Sequence, residues 1–355
     1  MCLERLARCS AQHRGYAVAA AATTLVLLVL LRVLAIDSVA WTTPVVNGGR
    51  DWHLSGMSQD NEALANEIAL QVKGESEQPY QLQRPHLVDF SQNGQSCFVA
   101  DLFKGKNSKR TFLEAGGYNG EDLSNSLYLE RELGWSGLLV EPDPWNFWSL
   151  TKRNRKARAL NACLSPSTSA SKLTLKQSDT MSRLQRAEEV GTKGIFTQVQ
   201  CYPLYSVMKA ANLTQLNYLA LDVEGLEMKV LQTLPWDAVN ITVVQVEASH
   251  LDGEQSNRNL QRKRNNSRGH APSTTDSKES QPSASTASTQ NANVQLSQAP
   301  ESTSCPTPVK SSLPNMASMT SGQRELVYFM RQKEYELLAL IGEDFIFKKR
   351  PYAEY

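Results

Sequence analysis

An α/β fold built on an open, mostly parallel sheet is what this sequence predicts, on three observations. Short apolar runs alternate with amphipathic segments, as strands and covering helices do in such a sheet. Four of the runs end on a carboxylate: Thr111–Leu113 on Glu114, Gly137–Val140 on Glu141, Leu216–Leu221 on Asp222 and Ile241–Val246 on Glu247. Between the first run and the next amphipathic segment lies a glycine turn, with Gly116, Gly117 and Gly120, that lets the backbone pass close to a ligand.

The chain opens on a basic stretch, residues 1–16 with Arg5, Arg8 and Arg14, expected to be a cytosolic tail. Residues 17–36 are apolar except for Thr23, Thr24 and Arg32, and about 20 such residues are long enough to cross a bilayer. The expectation is a transmembrane signal-anchor that leaves the following chain lumenal. A cleaved signal peptide ending near Ser38–Val39–Ala40 is the open alternative. Residues 37–80 are polar and mixed; Leu64, Ile68 and Val72 space out one helix over Ser58–Val72, and the segment is expected to be a stalk.

The domain is expected over 81–251 and 321–350. Gln81–Ala100 is expected to pack on its first edge. Leu123, Leu127, Leu129 and Leu133 predict a helix from Asp122 to Leu133, stopped by Gly134. After the strand ending at Val140, Arg158–Leu164 reads as a third strand and Lys172–Leu175 as a short one. Residues 177–194 read as a loop, Thr197–Tyr202 as a strand and Pro203–Ala211 as a helix. The turn Val223–Glu224–Gly225 follows the strand ending at Leu221. Leu226, Val230 and Leu231 then face a helix that stops before Pro235. Residues 252–320 are rich in Ser, Thr, Asn, Gln, Pro and Lys and lack aromatics, which predicts a disordered insertion. A helix over Glu325–Leu340 and a strand over Asp344–Lys348 return the chain to the sheet.

With 37 basic and 36 acidic residues in 355, the net charge is +1 and gives nucleic acid no support as a partner. The six cysteines form neither a Cys-x-x-Cys pair nor a Cys/His cluster at zinc spacing, so no metal is expected. Cys97, Cys163, Cys201 and Cys305 follow the apolar segment, and disulfides among them become possible in a lumen, with the connectivity open.

In an open parallel sheet a ligand binds beyond the carboxyl ends of the strands, where the four acids fall. Glu141 lies 27 positions after Glu114, against about 20 for a ribose-binding acid. The glycines complete no G-x-G-x-x-G, and no phosphate-binding lysine follows. Together these favour a nucleoside ligand without a pyrophosphate, such as S-adenosylmethionine. Glu227 reads as a solvated helix residue. His250 reads either as a general base or as a polar loop residue, and Trp135, Trp145 and Trp148 as packing.

The segments FLEAGGYNG (112–120), LLVEP (138–142), NACLS (161–165), LDVEGLEMKVL (221–231) and VEASH (246–250) resemble the FkbM-type methyltransferase domain. That resemblance implies a class I, Rossmann-like fold and S-adenosylmethionine as cofactor. Glu114, Gly116, Gly117 and Gly120 would then line the cofactor loop, and Glu141 would hold the ribose. Asp222 and Glu224 would sit on the methyl-acceptor side. With its N-terminal anchor the chain is also similar to the arthropod Star-like family of type II membrane proteins. This similarity implies a lumenal domain in the endoplasmic reticulum, Golgi and endosome that helps EGF-like growth-factor precursors travel onward.

Overall fold

The computed structural model describes residues 54–105, 109–178, 181–185, 193–251, 305 and 313–351, all within one compact unit, 51–355. The strands are β1 (Thr111–Ala115), β2 (Ser136–Val140), β3 (Arg158–Leu160), β4 (Cys163–Leu164), β5 (Ser171–Gln177), β6 (Arg183–Leu184), β7 (Ile195–Tyr202), β8 (Gln215–Leu221), β9 (Asn240–Glu247), β10 (Tyr335–Ile341) and β11 (Asp344–Lys349). The helices are α1 (Glu62–Gln71), α2 (Gln95–Leu102), α3 (Leu127–Leu133), α4 (Pro144–Thr151), α5 (Leu204–Ala210), α6 (Glu227–Thr233) and α7 (Ser321–Gln332).

The main sheet has the order β10-β11-β9-β8-β1-β2-β3. Strands β3, β2, β1, β8 and β9 are mutually parallel, whereas β11 is antiparallel to β9 and to β10. The chain leaves β1 toward β2 and β3, then returns to the opposite flank of β1 with β8 and β9. The reversal between β1 and β8 is the switch point where a crevice opens above the carboxyl ends. A smaller sheet, β4-β7-β5-β6, stands beside the main one.

Alternation along the strands divides the core in two, because successive side chains point to opposite faces. Leu113, Leu138, Leu219 and Val244 pack on one face with Ile68 of α1, Val207 of α5 and Leu326 of α7. Phe112, Leu139, Tyr218 and Val243 pack on the other with Val99 of α2, Leu129 of α3 and Leu150 of α4. Helices on both faces of a mostly parallel sheet are the architecture the sequence predicts.

Several details differ. The expected stalk is, from Leu54 to Tyr80, part of the folded unit. Leu64 and Ile68 of α1 are buried in the same core as Val207 and Met208 of α5, each worth about 1.5–3 kcal/mol of burial. Tyr202 Oη donates to Gln71, and Ser206 Oγ to the Gln59 carbonyl. The apolar face of α1 was legible; the surface it docks on was not.

The expected helix from Asp122 begins only at Leu127. Asn119 Oδ1 accepts from the amides of Glu121 and Asp122, Leu123 takes φ +61°, and Glu114 accepts from Asn125 N. These bonds hold 119–126 as a loop. Arg158–Leu164 splits, β3 joining the main sheet and β4 the smaller one. The expected helix over 325–340 ends at Gln332. Beyond a left-handed Glu334, φ +66°, Tyr335 to Ile341 run as a strand that pairs with β11, with a shift of register between Leu337 and Ala339. Met319 is already buried in the core, so the fold resumes ahead of 321.

Two disulfides, Cys97–Cys305 and Cys163–Cys201, settle the connectivity. The expected anchor at 17–36 and almost all of the expected disordered insertion lie outside the described residues. Among the described residues, no helix is long and apolar enough to cross a membrane.

Candidate active site

A cleft of about 800 Å³, open mouth included, lies at the switch point. Its wall carries Gly116 and Tyr118 after β1, Glu141 after β2, and Asp222 and Glu224 after β8. Leu164 of β4, Leu175 of β5 and Leu184 of β6 close one side, so the smaller sheet supplies an apolar wall. A cleft with apolar walls and a few convergent polar groups suits a small organic ligand.

Gly116 shows why the turn needs glycine. Its φ is +93°, and a Cβ built there would sit 2.2 Å from the Asp222 carbonyl oxygen. The amides of Gly116 and Gly117 both donate to the Val140 carbonyl, at 3.0 and 3.1 Å. The turn thus lies flat over β2 and β8, and its backbone forms the cleft floor. Gly117 and Gly120 do not line the cleft: a Cβ on Gly117 would meet Leu150 Cδ1 at 3.2 Å, and one on Gly120 Leu150 Cγ at 2.9 Å. Both make room for α4.

Glu141 is buried at the cleft edge. Its Oε2 accepts from Tyr118 N at 2.8 Å and its Oε1 from Asp143 N at 2.9 Å. Burial nevertheless pushes the carboxyl up to about 8, against the pull of those two amides. Asp143 in turn caps α4, accepting from Trp145 N and Asn146 N.

Glu114 behaves differently. It is still inside the ladder, paired with Leu139 and Ala220, and its side chain turns toward the α3 face. There it accepts from Asn125 N at 2.6 Å, from Ser124 Oγ at 3.1 Å and from Ser126 Oγ. Burial raises its carboxyl while the Arg155 guanidinium pulls it down. Arg155, itself 4% exposed, also binds Glu130 Oε2 at 2.9 Å and the Gly120 carbonyl at 2.6 Å. Glu114 therefore anchors the 120s loop and does not line the cleft. Arg155 and Glu130 belong to this network and were not expected; nothing in their local spacing marks them.

On the other side, Asp222 and Glu224 both reach the cleft, while His250 stands behind Glu224, its Nε2 3.0 Å from Glu224 Oε2. Loss of water and the charges of Glu247, Glu224 and Glu227 raise the Asp222 carboxyl well above the usual range. Desolvation also raises Glu224, with His250 opposing. Glu227, expected in solvent, is fully buried at the start of α6. It accepts from Val223 N and Gly225 N, a local cap at a helix start that a hydropathy pattern cannot reveal. Of the three tryptophans expected in packing, Trp135 is buried against Phe103, whereas Trp145 and Trp148 are half exposed on α4.

No curated protein and no solved structure matches this chain. No similarity therefore supports the Star-like relationship. The family model of the methyltransferase FkbM domain does match, over residues 114–287. That stretch begins in β1, passes through the cleft and β9, and leaves α7, β10 and β11 outside it. With the sheet order and the cleft described above, this match supports a methyltransferase-like α/β domain of the FkbM kind.

Proposed function

We propose that the domain is an S-adenosylmethionine-dependent methyltransferase acting on an oxygen or nitrogen acceptor. The observation that carries this reading is the Gly116 turn beside Glu141. The cleft floor there has no space for a side chain, and a buried carboxylate stands one strand away. The residues fit a nucleoside: Glu141, held by two amides, has the geometry to accept hydrogen bonds from a ribose diol, and Leu164, Leu175 and Leu184 offer an apolar wall to a base.

S-adenosylmethionine supplies an electrophilic methyl group on a sulfonium sulfur. The acceptor's lone pair forms the new bond to carbon as the C–S bond breaks, and the sulfur keeps the electron pair. The acceptor's proton must leave, and the Glu224–His250 pair is the neighbouring group able to take it. Asp222 faces the same side. The two disulfides support an oxidising compartment and with it the expectation of a lumenal domain. A role in moving EGF-like growth-factor precursors rests on the resemblance of the sequence alone.

Calorimetric titration of the purified full chain with S-adenosylmethionine tests the reading, with Glu141→Ala beside it. Binding that weakens at least about 100-fold in the variant supports it, the loss of two or more hydrogen bonds to a charge. A folded protein that takes up no cofactor refutes it and leaves the domain as a protein-contact module.

A further inference from the structure

Beneath the acceptor side of the cleft lies a second constellation, made of Asp222 after β8, Glu227 at the head of α6 and Glu247 at the end of β9. One carboxylate oxygen from each lies within 4.8 Å of the others. Glu227 is fully buried and Glu247 is 8% exposed. Among the described residues, no lysine, arginine or histidine forms an ion pair with any of the three. His250, three positions beyond Glu247, pairs with Glu224 instead.

The hydrogen bonds leave one position open. Glu247 Oε1 accepts from both the amide and the hydroxyl of Ser249. Its Oε2 is buried and accepts from nothing among the described residues. A buried carboxylate oxygen without a donor is expensive unless a positive group meets it. Glu227 differs, its oxygens being bridged to Val223 N and Gly225 N, which fixes it beside the open oxygen.

We propose that Asp222, Glu227 and Glu247 bind a hard divalent cation, Ca²⁺ in preference to Mg²⁺. Oxygen-only donors select Ca²⁺, Mg²⁺ or Mn²⁺ over zinc or copper, which favour nitrogen and sulfur. Ligand count decides among the hard ions: Mg²⁺ is usually held by one or two carboxylates and keeps several waters, whereas Ca²⁺ takes several carboxylate oxygens in a flexible geometry. Three carboxylate oxygens within 4.8 Å of one another follow the second pattern. No metal was expected because zinc spacing concerns Cys and His; these three acids converge from the ends of two neighbouring strands and one helix. The site stands whether or not the cleft holds a nucleoside.

The test is thermal unfolding of the full chain in EDTA and then in CaCl₂ or MgCl₂, with Glu247→Gln and Asp222→Asn in parallel and no S-adenosylmethionine present. Ca²⁺ at tenfold excess over its Kd should raise the melting temperature of the wild type by about 3–6 °C, and Mg²⁺ by less. Glu247→Gln should unfold no earlier than the wild type in EDTA, since it removes a repelling charge, yet lose the Ca²⁺ shift. Asp222→Asn, nearer the surface of the cleft, should weaken Ca²⁺ at least about tenfold by calorimetry. No shift in the wild type overturns the proposal. An equal shift in wild type and Glu247→Gln overturns it too, placing the ion elsewhere.

Discussion

Glu114 and Glu247 are both glutamates buried at the carboxyl end of one sheet, two strands apart, and they are treated in opposite ways. Around Glu114 every oxygen is met: two serine hydroxyls, one amide and the charge of Arg155. Around Glu247 the neighbours are Asp222 and Glu227, and one oxygen has no donor. The first arrangement is closed and can only hold structure. The second leaves one buried oxygen unmet, as a binding site does before its ligand arrives. A buried acid at a strand end is therefore not a functional signal by itself; the completeness of its partners is.

The comparison breaks most sharply at Arg155. Arg155→Met leaves the Glu114 and Glu130 carboxylates buried without their cation and should cost about 3–5 kcal/mol of unfolding free energy in a urea titration. A loss below 1 kcal/mol would show that the serines and amides suffice, and the contrast with Glu247 would weaken. Next in size is Gly116→Ala, which forces a side chain against the Asp222 carbonyl at a positive φ. About 2–3 kcal/mol of destabilisation is expected in the same titration. An unchanged midpoint would mean the turn can move away from β8.

The comparison can also be broken through pH. Glu141 and Glu227 are both raised by burial to about 8 in the fold, while an unfolded glutamate titrates near its ordinary value of about 4.3. The folded state binds more protons between those values. The stability these groups allow is thus complete below about pH 4.3 and is lost as pH rises toward about 8, by at most about 1.4 kcal/mol per unit for each group. Unfolding midpoints from pH 5 to 9 should fall and then level off. Glu227→Gln should flatten the slope, and so should Ca²⁺ by favouring the ionised cluster, while a slope indifferent to both would count against the open site. S-adenosylmethionine affinity should rise over the same range if Glu141 must be ionised to hold a ribose.

Much of the fold was legible because it depends on local pattern. Ile241–Val246 is β-branched and bounded, so it could only be a buried strand, and it is. The glycine turn was legible from Gly116 alone, since few other reasons put glycines directly after an apolar run. Less was legible where an element's state depends on a distant partner. The segment Leu54 to Tyr80 was read as a stalk because its sequence does not say that α5 offers a matching face. Glu114 and Glu141 looked alike as strand-end acids, yet Glu114 is paired with Leu139 inside the ladder, whereas Glu141 lies two positions further along and past the end of β2, where its side chain is free to reach the cleft edge.

By itself, then, the sequence determined the alternation of strands and helices and the residues at the strand ends, because backbone propensity and burial period act over a few neighbouring positions. The tertiary structure alone decided which of those acids met a serine pair and an arginine and which met only one another. Hydrogen bonds and charges act over a few ångströms of space, and residues as far apart as Asp222 and Glu247 become neighbours only when β8 and β9 are laid side by side.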